Sequence, residues 1–180
     1  MKTKTYIFLF FLIISNFGFS QDAGFRKTSI SSSFSPVEIE AYQESAYKKI
    51  EDFYSYLNLL SDKSISEKAK AEIRENIFLL FKNKRVGVVD LTSGKNQKLS
   101  VSEFLEKVEK HKISFRFSEK PKQEPELFSD YWLSEYSVEV EINGEKSVKK
   151  ITQKIYFNPK DKKFGNAYKE VWEIKLGEME

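Results

Sequence analysis

The chain has no cysteine and a single histidine, His111, and in 180 residues it holds only seven glycines and four prolines. Without thiols there can be no disulfide, no thiolate nucleophile, no Cys-ligated zinc and no lipid on an N-terminal cysteine. One imidazole excludes a metal centre that needs two. Charge of one sign is missing as well. Lys and Arg number 30 against 27 Asp and Glu, and Lys2 and Lys4 belong to the opening segment, so the remainder stands one positive charge from neutrality. So balanced a chain has no long-range field to recruit phosphate, and no nucleic-acid partner is expected. A membrane surface gains little more from the overall balance. There is also no glycine-rich nucleotide loop, no serine-nucleophile signature and no dense carboxylate loop for calcium, so neither cofactor nor metal is expected.

What is present begins with a leader. Residues 6–14 form an unbroken apolar run behind Lys2 and Lys4, and Gly18 and Ser20 are the small residues that precede Gln21. This layout predicts a secretory signal peptide over residues 1–20. Its apolar run is shorter than the roughly 20 residues a spanning helix needs, so no membrane span is expected after cleavage. The protein is thereby read as exported, of bacterial type, and either periplasmic or secreted. Residues 21–33 are polar and serine-rich and read as a flexible lead-in. Residues 34–180 suit one domain, able to bury about 70% of its unfolded surface by packing alone.

Three helices are predicted. Ser35-Pro36-Val37-Glu38 combines an N-cap hydroxyl, proline at the first helical position and a carboxylate three residues after the cap, with Phe34 and Ile39 at the staple positions. Behind it Ile39, Tyr42, Ala46, Ile50, Phe53, Leu57 and Leu60 recur every three or four residues, one apolar stripe along about seven turns. Ser64-Ile65-Ser66-Glu67 opens a second helix, with Ile65, Ala69, Ile73, Ile77 and Leu80 on one face. Ser100-Val101-Ser102-Glu103 opens a third, with Val101, Phe104, Leu105 and Val108 inward. It ends in Lys110, His111 and Lys112, cations that suit the negative end of the dipole. Between the last two helices, residues 86–91 read as a short strand followed by a turn at Thr92-Ser93-Gly94-Lys95.

Beyond residue 112 the period falls to two. Ile113, Phe115 and Phe117 alternate with polar residues, and a charged, proline-bearing loop over residues 119–126 follows. A long strand then carries Trp132, Tyr136, Val138, Val140 and Ile142 on one side. Asn143-Gly144 signals a two-residue type I′ turn, which pairs Tyr136 with Ile151 and Trp132 with Ile155 and so brings the two apolar faces together. A further turn is expected near Asn158-Pro159-Lys160-Asp161, ahead of a last strand with Tyr168, Trp172, Ile174 and Leu176 on its apolar side.

The order of elements, with Val88-Val89-Asp90-Leu91 before Leu99-Ser100-Val101-Ser102-Glu103-Phe104-Leu105 and the closing Val171-Trp172-Glu173-Ile174, resembles the nuclear-transport-factor-2-like, or SnoaL-like, superfamily over residues 34–177. A cystatin-like helix-on-sheet arrangement is the alternative. The resemblance implies an α+β fold in which a strongly curved antiparallel sheet wraps a long N-terminal helix and two shorter ones into a cone with a pocket at its open end. Some members of the superfamily are isomerases, dehydratases or hydrolases, and many only bind ligands or assemble, so the fold does not choose an activity. The resemblance also implies a homodimer through the outer sheet face. That face mixes Glu135, Glu139 and Glu141 with Lys150, Lys154 and Lys175, a pattern that itself favours solvent.

On the inner face Ser134, Gln153 and Glu170 interrupt the apolar side chains, and the hairpin register sets Ser134 against Gln153. Glu170 is expected within a pair or two of them. As a functional cluster, Glu170 would be an acid or base with its pKa raised by apolar walls, and Ser134, Gln153 and Tyr136 would orient a ligand. As a structural one, the three polar groups bond each other or water. Tyr42, Trp132 and Trp172 complete the candidate ligand-binding set. Tyr47, Tyr54 and Tyr56 read as amphipathic core edges, and His111 as an exposed, dipole-favoured helix end. An aromatic inner face with few ionisable groups points to a non-catalytic domain that holds a small hydrophobic or amphipathic ligand, or a protein partner, in an apolar cone-shaped pocket. The alternatives are a small cofactor-free enzyme using Glu170 and an assembly role for the sheet surface.

Overall fold

In the computed structural model the described residues are 30–93, 97–117 and 126–180. The expected leader, residues 21–29 of the lead-in, Gly94 and Lys95 of the turn and residues 119–125 of the charged loop lie outside them. Helical structure is present four residues before the expected start at Phe34. A single helical turn, α1 (Ile30–Ser33), leads into the chain, with Ile30 only 2% exposed.

Helix α2 (Pro36–Ser61) is 26 residues long and has the expected start: the Ser35 side chain accepts from the Glu38 amide, and Glu38 reaches back to the Ser35 amide at 2.8 Å. Its stripe of Ala46, Ile50, Phe53, Leu57 and Leu60 is buried, and so is Tyr54. Helix α3 (Glu67–Leu80) is capped by Ser66, which accepts from the Ala69 amide, and not by Ser64. Ile65 therefore precedes the helix. Helix α4 (Val101–Lys110) has the full capping box of Ser100 and Glu103. Between α3 and α4, β1 (Gly87–Val89) pairs with β2 (Lys98–Ser100), a strand the sequence reading passed over, in a small separate sheet.

The main sheet is antiparallel and strongly curled, a half-barrel in the order β3 (Ile113–Phe117), β5 (Tyr131–Ile142), β6 (Glu145–Phe164), β7 (Ala167–Met179). The two-residue β4 (Glu126–Leu127) pairs with β5. The α+β class with three helices on a curled sheet is as expected. Asn143 and Gly144 have φ of 52° and 90°, as a type I′ turn requires, and the expected pairs Tyr136 with Ile151, Trp132 with Ile155 and Ser134 with Gln153 all form.

Where β3 reaches the sheet edge, α2 covers it. The Asn58 side chain donates to the Phe115 carbonyl at 2.8 Å and accepts from the Phe115 amide at 2.7 Å, and Ser61 donates to the Ile113 carbonyl at 2.7 Å. Side chains of a helix thus take the place of a further strand, which leaves this edge closed to pairing. Asn58 and Ser61 carried no sequence signal beyond their place beside the apolar stripe.

One expected turn is absent. β6 runs through residues 158–161 without a break and turns only at Gly165, φ 61°. The proline is tolerated for a simple reason. The Phe157 amide donates toward β5, to the Asp130 carbonyl. Two residues on, the Pro159 nitrogen faces the same way, where β5 has already ended, so no ladder bond is lost. Beyond that point β6 and β7 continue as a two-stranded arm. Tyr168, expected on the apolar side, sits out on this arm and is 69% exposed.

Candidate functional site

Three neighbouring groups of residues occupy the concave side. The first is a buried polar chain. Tyr136, from β5, donates to Gln153 Oε1 on β6 at 2.7 Å, and its oxygen lies 3.2 Å from the hydroxyl of Tyr54 on α2. A phenol has one proton, and that of Tyr136 is used on Gln153, so Tyr54 donates to Tyr136. Gln153 closes the chain with a long 3.5 Å contact to the Gly177 carbonyl. Tyr54, Tyr136, Gln153 and Ser134 are all 4% exposed or less. Burial pushes both phenols well above their ordinary pKa, so neither exchanges protons near neutrality. The chain ties the long helix to the sheet centre.

The second group is an aromatic cluster. Phe157 stacks on Trp172 with ring centroids 4.6 Å apart and touches Tyr42 at 4.5 Å and Trp132 at 5.8 Å. Phe34, just after α1, closes the cluster with edge contacts to Tyr42, Phe157 and Trp172 between 5.0 and 5.5 Å. Trp132 and Ile155 are buried and Trp172 is half-buried. The expected residues Tyr42, Trp132 and Trp172 are thus brought together, and the rings fill the space between them. Phe34, read from sequence only as a staple, and Phe157, not singled out at all, complete the set.

The third group is a surface cleft of about 460 Å³ that opens beside this cluster, between α2 and the arm. Tyr42, Trp172 and Phe164 give it aromatic walls, and Lys49, Lys160 and Lys162 reach it from α2 and β6. Lys160 is paired with Glu173 at 3.1 Å. Burial, and then the nearby Lys175 ammonium, hold Lys49 below its ordinary pKa, against a partial offset from Glu173 and Asp52. An anion in the cleft would favour the charged form of Lys49 and so offset the shift.

Glu170 does not join Ser134 and Gln153. Gln153 pairs with Met179, whereas Glu170 pairs with Asp161, far along the exposed arm. The sequence reading placed the turn too early in β6 and so drew Glu170 toward the sheet centre. With the true turn at Gly165 it moves outward. An acid-base role that requires this carboxylate beside the polar chain has no geometric basis here.

Two further titratable residues are structural. His111 is exposed, and its Nδ1 lies 2.7 Å from the Lys107 carbonyl at the end of α4, as expected of a helix end. Asp90, passed over as a site, is 1% exposed and accepts from the Thr92 hydroxyl at 2.6 Å, Ser93 at 2.9 Å and Lys107 at 2.7 Å. Burial alone would raise its pKa, but these bonds outweigh it and bring it down to about 2. Among the described residues no group of acidic or imidazole side chains is arranged to hold a metal ion, and no helix is long and apolar enough to cross a membrane.

No protein-family model matches the chain, and no curated protein shows significant sequence similarity to it.

Proposed function

We propose that this is an exported binding protein without catalysis, and that it holds a small amphipathic anion in the cleft between α2 and the β6–β7 arm. The observation that carries the reading is the meeting of aromatic walls, Tyr42, Trp172 and Phe164, with Lys49 and Lys162 in one cleft of ligand size. Apolar atoms of the ligand lie against the rings and its charged head meets the lysines. The rest of the concave side supports the same reading, because Tyr54, Tyr136 and Gln153 already bond one another and its rings already touch. The ligand site expected on the inner face around Ser134, Tyr136 and Gln153 is therefore replaced by the cleft beside the arm. A long helix wrapped by a curled sheet is compatible with the nuclear-transport-factor-2-like cone, and membership of that superfamily as a single domain is part of the proposal.

Titration with dodecanoate, followed by intrinsic fluorescence, tests it. Trp172 borders the cleft while Trp132 is 2% exposed in the core. A saturable change that disappears in Trp172→Phe is expected. A response unaltered by that substitution, or none in the intact protein, would refute the assignment.

A further inference from the structure

The arm itself is an unusual surface. Residues 158–171 hold Lys160, Lys162, Lys163 and Lys169 against only Asp161 and Glu170. The overall charge balance conceals this local excess. At the far end the register pairs Phe164 with Ala167 and Lys163 with Tyr168, on either side of the Gly165 turn. Successive pairs in a hairpin point to opposite faces, so Phe164 lies on one face and Tyr168 on the other. Phe164 is 48% exposed and Tyr168 69%. One pair further back, Lys162 sits opposite Lys169.

From this geometry we propose that the arm tip docks on an anionic lipid surface. A hairpin with an aromatic ring on each face and lysines one step behind is built to enter a medium end-on, since docking against a flat protein would use one face only. Aromatic rings favour the headgroup level of a bilayer, and lysines behind them reach anionic phosphates while their stems stay apolar. Strand addition by a partner is opposed on the β5 side of the arm. Pro159 removes a donor there, and Lys160, Lys162 and Lys163 line the strand with charge. Phe164 and Lys162 also border the cleft, so the variants that test this inference leave both in place.

The test is co-sedimentation of the intact protein with phosphatidylglycerol vesicles and with phosphatidylcholine vesicles. The variants are Tyr168→Ser and the pair Lys163→Gln with Lys169→Gln, none of which lines the cleft. Each lysine near an anionic surface is worth about fivefold in partitioning, so the double variant should bind phosphatidylglycerol about 25-fold more weakly. Tyr168→Ser should weaken it severalfold, and 0.5 M salt should release the protein by screening, where the Debye length falls to only a few ångströms. Absence of binding, equal binding to both vesicles, or full binding by the variants would overturn the proposal. A dimer of the intact protein that Tyr168→Ser dissociates would assign the tip to a second copy instead. Dodecanoate titration of the same variants should be unchanged, which keeps this result separate from the cleft's.

Discussion

Replacing Tyr136 by phenylalanine removes one oxygen from the centre of the buried chain. That oxygen serves Gln153 Oε1 at 2.7 Å and the Tyr54 hydroxyl at 3.2 Å. Both partners are then left buried and unsatisfied, at about 1–3 kcal/mol each. Taken toward the lower half of that range, the loss is about 3 kcal/mol. Tyr54→Phe is milder, because Tyr136 keeps its donation to Gln153 and only an incoming bond disappears, about 1 kcal/mol. Urea unfolding followed by circular dichroism separates the two. With a slope of about 1–3 kcal/mol/M, Tyr136→Phe should lower the midpoint by about 1–3 M. Adding Gln153→Leu to Tyr136→Phe removes the orphaned acceptor, so the double variant should be less damaged than the two single losses added together, by about 1 kcal/mol or more. A Tyr136→Phe loss no larger than that of Tyr54→Phe, or strict additivity with Gln153→Leu, would refute the chain as the link between helix and sheet.

Four other outcomes test the same structure. A Cβ on Gly177, in the bulge of β7 opposite residues 153–155, would stand 2.9 Å from the Lys154 carbonyl oxygen, which cannot swing away, so Gly177→Ala should cost about 1–3 kcal/mol in thermal or urea unfolding. Asn58→Ala should cost about 2 kcal/mol and raise amide exchange at Phe115, because the buried edge of β3 loses its cover. The depressed pKa of Asp90 means its contribution is fully present above its unfolded value near 3.8 and is lost as pH falls toward about 2. That amounts to about 2 kcal/mol, and Lys107→Met should move the acid transition to higher pH in a circular-dichroism titration. Dodecanoate affinity should fall as pH rises through the lowered pKa of Lys49, since an anion favours its protonated form, and calorimetry at several pH values would show it.

The elements that announced themselves in sequence were those with local causes. Ser35 with Glu38 and Ser100 with Glu103 formed the boxes their spacing implied, and Asn143-Gly144 set a register that aligned 12 residue pairs of β5 and β6. Errors came where a local signal met a tertiary exception. Pro159 normally marks a break, but its nitrogen faces an edge where β5 has stopped, and that fact belongs to strand length and not to residue 159. The misplaced turn carried Glu170 with it, since a side chain's place in a sheet depends on register and every pair shifts together. Ser134, Tyr136 and Gln153 were found because alternation put them on the concave face. Tyr54 escaped because its partner is 82 residues away, and the cleft escaped because it needs the unbroken arm to exist.

Calorimetry with a matched series is the most direct measurement of the central claim: dodecanoate, dodecanol and dodecyltrimethylammonium, which share one chain and differ in head charge, titrated into the protein and into Lys49→Glu. Aromatic walls with lysines at one cleft predict that dodecanoate binds at one site and best of the three, and that charge reversal at Lys49 weakens it at least tenfold. Equal affinity across the series, or dodecanoate binding that survives Lys49→Glu unchanged, would contradict it.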